Sequence, residues 1–240
     1  MDLAGKTALV TGGAKRVGRA IVLALAGAGC DLVLHYKTSS SEAEATAEEA
    51  RALGGRVDLV QADLGVDAAR VVVGAPDLGP IQILINSAAM FPSDTLTDLA
   101  SDTFDQTIAV NLRAPILLTA AFARALPDDA EGAVVNLTDW RTARPYGDHF
   151  SYTVAKGGID TFTIAAAEAL APRIRVNAVA LGAILPPPGK SSQYLKDLAK
   201  DIPVKRVGGT DPVAEAVLFL LRNDFVTGEI VRIDGGAHLR

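Results

Sequence analysis

The feature that most restricts the fold is a regular alternation along the chain, in which short apolar runs are separated by longer segments of helical period. Runs of strand length stand at 6–10 (KTALV), 31–36 (DLVLHY), 56–61 (RVDLVQ), 81–86 (IQILIN), 132–137 (GAVVNL), 174–180 (IRVNAVA) and 229–234 (EIVRID). Their near-continuous apolar character marks strands covered on both faces. Between them the spacing predicts helices over 17–28, 41–53, 101–125, 151–171 and 211–222, with a short segment over 65–74. Gly29 and Gly54-Gly55 close two of these helices. Thr210-Asp211-Pro212 starts another, since proline is tolerated in a first turn. Strands and helices in this order, joined by right-handed crossovers, give an α/β doubly wound parallel sheet of about seven strands with helices on both faces. No repeat, low-complexity tract or linker interrupts the pattern, so residues 1–240 are expected to form a single domain.

Composition narrows the class. Hydrophobic residues make up 49% of the 240 residues and aromatics 5%, so the core is aliphatic, as a sheet buried between helices requires. A formal net charge of −5 excludes the chain as a whole from binding nucleic acid or an anionic membrane, and any cationic site must be local. The single cysteine, Cys30, rules out an intrachain disulfide and reads as a small core residue in a reducing compartment. The N-terminal MDLAGK lacks a charged-then-apolar signal pattern, and no apolar stretch looks long and clean enough to cross a bilayer. A soluble, cytoplasmic protein is expected, with no metal.

In sheets of this kind ligands bind beyond the carboxyl ends of the strands. After the first strand, TGGAKRVGRA (11–20) keeps Gly12, Gly13 and Gly18 but has Lys15 and Arg16 where a middle glycine is usual. The loop opens onto a helix whose N-terminal amides and dipole favour a phosphate oxygen. After the second strand, HYKTSS (35–40) offers no acid for a ribose 2′-hydroxyl. His35, Lys37 and Ser39, with Lys15 and Arg16 at the same corner, are donors suited to a 2′-phosphate, which points to NADPH/NADP. The alternative is a polar turn before a helix capped by a Ser41/Glu44 box. Asp63, ending the third strand, reads equally as an adenine contact or a helix cap. Asn86-Ser87-Ala88, after the fourth, reads as room for a ribose or as a tight turn.

SYTVAKGG (151–158) puts Tyr152 and Lys156 four residues apart on one helix face. A free phenol ionises near ~10. An ammonium one turn away favours the phenolate, so the spacing predicts a phenol of lowered pKa that passes a proton while a nicotinamide delivers hydride.

Together, Thr11-Gly12…Gly18, Asn86-Ser87-Ala88, Asn111, Tyr152…Lys156 and Leu181-Gly182 resemble the short-chain dehydrogenase/reductase family over essentially the whole chain. The resemblance implies a Rossmann-like fold and a homotetramer. It implies Tyr152 as the acid, Lys156 tuning it and holding the nicotinamide ribose, and Asn111 supporting a water relay. It adds Val17, Tyr36 and Leu64 to the cofactor residues. It also puts Asn86 and Ser87 on the adenosine side and Ile184 at the carboxamide.

Two departures from the family pattern carry information. Arg16 replaces the middle glycine, and Asp139, in LTDW, stands where a serine is usual. A carboxylate would repel a developing alkoxide but suits a substrate with N–H donors. Both departures are similar to the pteridine reductase branch, and LTDW and DGGAHLR (234–240) resemble its dihydromonapterin/dihydrofolate reductases. That likeness implies Arg16 between cofactor phosphate and substrate, Phe91 stacked on the pterin, and Asp139, Tyr152 and Lys156 as the catalytic set. Thr38 departs from the arginine often found there.

The expected function is therefore NADPH-dependent reduction of a small dihydropterin or folate. An ordinary carbonyl or alcohol dehydrogenase, with Thr138 in the serine's role, is the alternative. A non-catalytic NADP-binding sensor is a third reading, and it has no use for a Tyr152/Lys156 pair. Phe91 also reads as loop packing, Asn111 as a kink beside Pro115, and Asp139 as a turn cap. Trp140, Arg141, Arg144 and His149 read as packing or solvated charge, and 191–200 as a lid or a fixed surface helix.

Overall fold

Seven strands form one all-parallel sheet: β1 (Thr7–Val10), β2 (Asp31–Tyr36), β3 (Val57–Gln61), β4 (Ile81–Asn86), β5 (Gly132–Asp139), β6 (Ile174–Leu181) and β7 (Ile230–Ile233). Their order across the sheet is β3-β2-β1-β4-β5-β6-β7, as drawn from a computed structural model that describes residues 1–72, 76–187 and 189–240. The helices are α1 (Arg16–Gly27), α2 (Ser40–Ala52), α3 (Leu64–Asp67), α4 (Ser101–Ile108), α5 (Ala114–Ala125), α6 (Phe150–Leu170), α7 (Ser192–Ala199) and α8 (Asp211–Arg222).

Side chains alternate along each strand, so each strand feeds two cores. Ala8 and Val10 of β1 pack with Ile21 and Leu25 of α1, Ala47 of α2 and Leu220 of α8. Leu9, between them, faces the other way, into a core with Leu118 and Phe122 of α5 and Ala166 of α6. Cys30 is buried in the first of these cores, and burial pushes its thiol up to about 11, which keeps it unreactive.

Several boundaries differ from expectation for local reasons. The 101–125 segment is one helical rod divided by a π turn at Ala109–Arg113, where the Ala114 amide bonds the Ala109 carbonyl. Pro115 has no N–H for the Asn111 carbonyl, so the turn widens. By length and mean hydropathy (1.3) this rod, Ser101–Ala125, does qualify as a membrane-crossing helix, contrary to the expectation that no stretch would. Its inner face, with Asn111, Ala114, Leu118 and Phe122, is buried in the fold, which makes it a core helix. Segment 65–74 is α3 followed by a 3₁₀ turn at Ala69–Val71, and its last two residues lie outside the described residues. The Ser41/Glu44 box does not form, since Ser39 occupies the cap position of α2 and the Ser41 hydroxyl donates to Glu42.

The strand order reverses between β1 and β4, where the crossovers leave in opposite directions and a crevice opens at the strand ends. Thr11 ties the two sides together. Its amide donates to the Ile85 carbonyl at 3.0 Å, and its hydroxyl accepts the amides of Ser87 (2.9 Å) and Ala88 (3.1 Å).

Candidate active site

The β1–α1 loop is built for a close approach. Gly12 has φ +65°, and a Cβ there would lie 3.0 Å from the Cα of Ala88. A Cβ at Gly18 would sit 2.2 Å from the Gly12 carbonyl oxygen, so only glycine lets α1 begin against the loop. Lys15, at the cap of α1, makes no side-chain cap bond, which leaves the first-turn amides available to an anion. Arg16 takes the left-handed conformation (φ +59°) that the missing glycine would have taken. Its guanidinium reaches across to the Pro186 carbonyl at 2.7 Å, bridging the first loop to the one after β6. Val17 is half-buried beside it.

At the end of β2, the structure corrects one expectation. His35 is only 2% exposed, its Nδ1 accepts the Gly12 amide at 3.2 Å, and its Nε2 lies 3.1 Å from the Ala62 carbonyl. With both nitrogens committed, it braces the glycine loop and has no donor to offer a 2′-phosphate. Burial lowers its pKa, consistent with a neutral ring. Lys37 is exposed and forms a 2.7 Å ion pair with Asp63, whose other oxygen caps α3 through the Gly65 amide. Both bonds hold the Asp63 carboxyl below its ordinary range. Ser39 is half-buried, and Lys15 lies 4.0 Å from Glu42. Tyr36 is half-buried with its carbonyl on the Ala62 amide, while Leu64 belongs to the second core.

Asn86 is a second correction. It is buried, and its amide donates to Asn136 Oδ1 at 2.8 Å, while Asn136 in turn donates to Thr163. The side chain braces β4 to β5 and α6 and does not face the crevice, where Ser87 and Ala88 are left. Across the crevice, Leu181 ends β6, and a Cβ on Gly182 would lie 2.4 Å from the Asp234 Cα. Ile184 is buried against Gly208.

β5 runs two residues further than its apolar pattern implied, pairing Asp139 with Leu181 of β6, and this extension presents Asp139 to α6. Tyr152 Oη donates to Asp139 Oδ2 at 2.9 Å, and Asp139 Oδ1 accepts the Arg141 amide at 2.9 Å. Lys156 lies one turn along, its Nζ 5.7 Å from the Tyr152 ring centre and bonded to the Leu137 carbonyl at 2.6 Å. Thr138 faces the opposite way: it is buried, with its hydroxyl 2.6 Å from Asp160 Oδ1. A threonine in the serine's role is thus ruled out by the alternation of β5.

The electrostatics reverse the expected direction for the phenol. Burial pushes Tyr152 well above its ordinary value, and the adjacent Asp139 charge and hydrogen bond add to it. Burial also raises Asp139, partly offset by the Arg141 amide and the Tyr152 hydroxyl. Lys156 falls to about 8 through burial, against the pull of Asp139 and Asp160. The phenol is therefore a proton-holding group and its lysine neighbour is poised near neutrality.

Phe91 stands edge-on to Tyr152, with ring centres 4.6 Å apart at 90°. One of its faces carries the His149 ring, stacked at 3.8 Å. Arg141 lies 6.0 Å from the Phe91 centre and 5.6 Å from that of Tyr146, and is paired to Asp148 at 2.8 Å. His149 and Arg141 are thus part of the site wall, not solvated charge. Buried Asn111 spends both ends of its amide on the Met90 backbone, at 2.7 and 2.8 Å, and so fixes the segment that carries Phe91. His149 reads in sequence only as packing or solvated charge, with no signal for this stack, whereas Asn111, expected to support a water relay, has its side-chain amide on the Met90 backbone.

Known proteins can be set beside this geometry. A protein-family model described as enoyl-(acyl carrier protein) reductase matches residues 12–238. L-xylulose reductase of Bos taurus is 34% identical, covering 98% of this chain and 98% of its own. The 3-oxoacyl-[acyl-carrier-protein] reductase FabG of Staphylococcus epidermidis is 31% identical, covering 98% and 99%. The crystal structure of FolM alternative dihydrofolate reductase 1 from Brucella canis, complexed with NADP, superimposes with a TM-score of 0.96 at 36% identity, over 100% of this chain and 96% of that one.

Proposed function

The chain belongs to the short-chain dehydrogenase/reductase family, and from that premise we propose that it is an NADPH-dependent reductase that converts a dihydropterin, as a free pterin or a folate, to the tetrahydro form. The observation that carries this reading is the Asp139 carboxylate 2.9 Å from the Tyr152 phenol, in the place of a neutral hydroxyl. A carboxylate accepts N–H groups, which a pterin edge supplies and a simple ketone lacks. The likeness to FolM alternative dihydrofolate reductase 1 supports the same reading.

The donor set fits the cofactor. The glycine cradle at Gly12 and Gly18 and the uncapped first turn of α1 suit the pyrophosphate. Lys15, Lys37 and Ser39 suit a 2′-phosphate, and Arg16, bonded to the Pro186 carbonyl, suits the space between cofactor phosphate and substrate, with Tyr152 and Lys156 toward the ribose. NADPH, when bound, supplies a hydride. The balancing proton is the work of this chain's own residues. Tyr152 gives its hydroxyl proton to a ring nitrogen of the substrate, and the Lys156 ammonium favours the phenolate left behind. Asp139, whose pKa burial raises, accepts the substrate's N–H groups and holds the Tyr152 hydroxyl in place, and the phenol recovers its proton from solvent after turnover. Phe91 offers an aromatic face to a flat ring.

Carbonyl reduction is the second reading, favoured by the L-xylulose reductase and FabG relatives. Steady-state rates of NADPH oxidation with dihydropterins, dihydrofolate, aldehydes and ketones test the two. Turnover of a dihydropterin that Asp139→Ala abolishes, with NADPH affinity kept, is the expected result. Ketone turnover without any pterin activity overturns the proposal.

A homotetramer is part of the same proposal. On the outer face of α8, Phe219 is 52% exposed between Glu215 and Arg222, and Phe225 just beyond is 99% exposed. A two-fold axis through the middle of this strip would set Glu215 of one copy against Arg222 of the next, with the apolar groups between them.

A further inference from the structure

The loop after β4 and the first turn of α6 meet along a seam that neither the proton-delivering pair nor the glycine loop explains. Asp94 lies in it, 6% exposed and without an ion-pair partner among the described residues. Its Oδ1 accepts the Ser151 amide at 3.2 Å, its Oδ2 accepts the Ser151 hydroxyl, and its backbone carbonyl accepts the Phe150 amide at 3.2 Å. Fixed donors and the N-terminal end of a long helix face this buried side chain. Next to it, His149 has φ +50°, bonds the Pro92 carbonyl through Nδ1 and stacks on Phe91. Residues 149–151 therefore grip Phe91, Pro92 and Asp94, and the following residue is Tyr152.

We propose that Asp94 is a positioning residue for the reaction: by holding both donors of Ser151 it fixes where the Tyr152 hydroxyl stands relative to Asp139, and it anchors the loop whose Phe91 packs edge-on against that phenol. The inference rests on the reading that Tyr152 delivers the proton. A carboxylate serves where an apolar residue would pack as well, because its two oxygens orient the amide and the hydroxyl of one residue at once.

The test compares Asp94→Ala, Asp94→Asn and Ser151→Ala with the wild type on whichever substrate it reduces, with Tyr152→Phe as control. The readouts are kcat, KM for NADPH and the solvent deuterium isotope effect on kcat. Displacing a reacting group by a fraction of an ångström to an ångström lowers kcat by roughly ten- to a hundredfold. That loss is expected for Asp94→Ala, with KM for NADPH unchanged and a larger solvent isotope effect, because proton delivery becomes slower. Asp94→Asn keeps an acceptor for the amide and a donor toward the hydroxyl oxygen, so it recovers most of the rate. Ser151→Ala gives a smaller loss of the same kind and carries the test should Asp94→Ala not fold. A wild-type isotope effect and kcat in the alanine variants, or an asparagine variant no better than alanine, overturns the inference. Full activity in Tyr152→Phe instead removes its premise, a different failure from the first.

Discussion

Tyr152 and Asp139 share a 2.9 Å hydrogen bond in which the phenol is the donor, and the carboxylate's charge is one of the causes that hold the phenol's proton in place. Removing the charge should release it. In Asp139→Asn the Tyr152 phenol is expected to titrate at lower pH than in the wild type, as followed by ultraviolet difference spectroscopy against a Tyr152→Phe background. Turnover of a dihydropterin should fall on the order of a hundredfold or more, as when one preorganised charge or donor is lost from a site. An unchanged phenol titration would mean that burial alone sets it.

Lys156 gives the pH dependence its alkaline limb. With its pKa lowered to about 8, the ammonium is present below that value and lost above it. The rate of reduction should therefore decline as pH rises through about 8 in a kcat/KM profile. Lys156→Arg, whose cation does not titrate in this range, should remove that limb even if it lowers the rate overall. The effect on stability has the opposite slope. Between about 8 and the ordinary value of 10.5 the unfolded chain binds a proton that the folded chain does not, so this residue destabilises the fold below about 8 and is relieved as pH rises toward 10.5.

The backbone was legible because period and punctuation are local properties. β2 and β4 begin and end where their apolar runs do, and α8 starts at Asp211 as Thr210-Asp211-Pro212 implied. Asp139 was legible as an oddity of position. What escaped depends on contacts across the chain. Asp94 and Ser151 are 57 residues apart, and nothing local to either marks the other. His35 looks like a surface donor in sequence, but its ring folds inward between the Gly12 amide and the Ala62 carbonyl, two partners supplied by other strands' ends. The phenol was misjudged for the same reason. Its lysine neighbour is visible at a spacing of four, whereas the burial and the Asp139 carboxylate that outweigh it arise only from folding.

His149 stacks on one face of Phe91, the ring proposed to hold the pterin. His149→Asn tolerates the left-handed backbone and retains a donor for the Pro92 carbonyl, but it removes the stacked ring. An aromatic pair is worth about 0.5–1.5 kcal/mol, so KM for the pterin should rise about two- to tenfold while KM for NADPH stays put. A wild-type pterin KM would show that the ring is not needed behind Phe91.

The strip on α8 makes a charge-swap prediction. Arg222→Glu would face Glu215 of the next copy with like charge, and the assembly should lose subunits, read as a lower mass by light scattering at equal concentration. Adding Glu215→Arg to it restores opposite charges and should restore the mass. If the single variant keeps the wild-type mass, α8 does not form the interface.

Lys37 decides the choice of cofactor only if it can leave Asp63. Their 2.7 Å pair is exposed, and exposed pairs contribute about 0–1 kcal/mol, so a dianionic 2′-phosphate can compete for the ammonium. Asp63→Asn should therefore bind NADPH more tightly and leave NADH nearly unchanged, because only the former brings the phosphate. Lys37→Ser should cut the preference for NADPH over NADH by about tenfold, the order of one charge-assisted hydrogen bond. Equal loss of both cofactors in Lys37→Ser would show that the residue shapes the loop and does not read the phosphate, leaving Lys15 and Ser39 to do so. Fluorescence titration of each variant with both cofactors separates these outcomes without any substrate present.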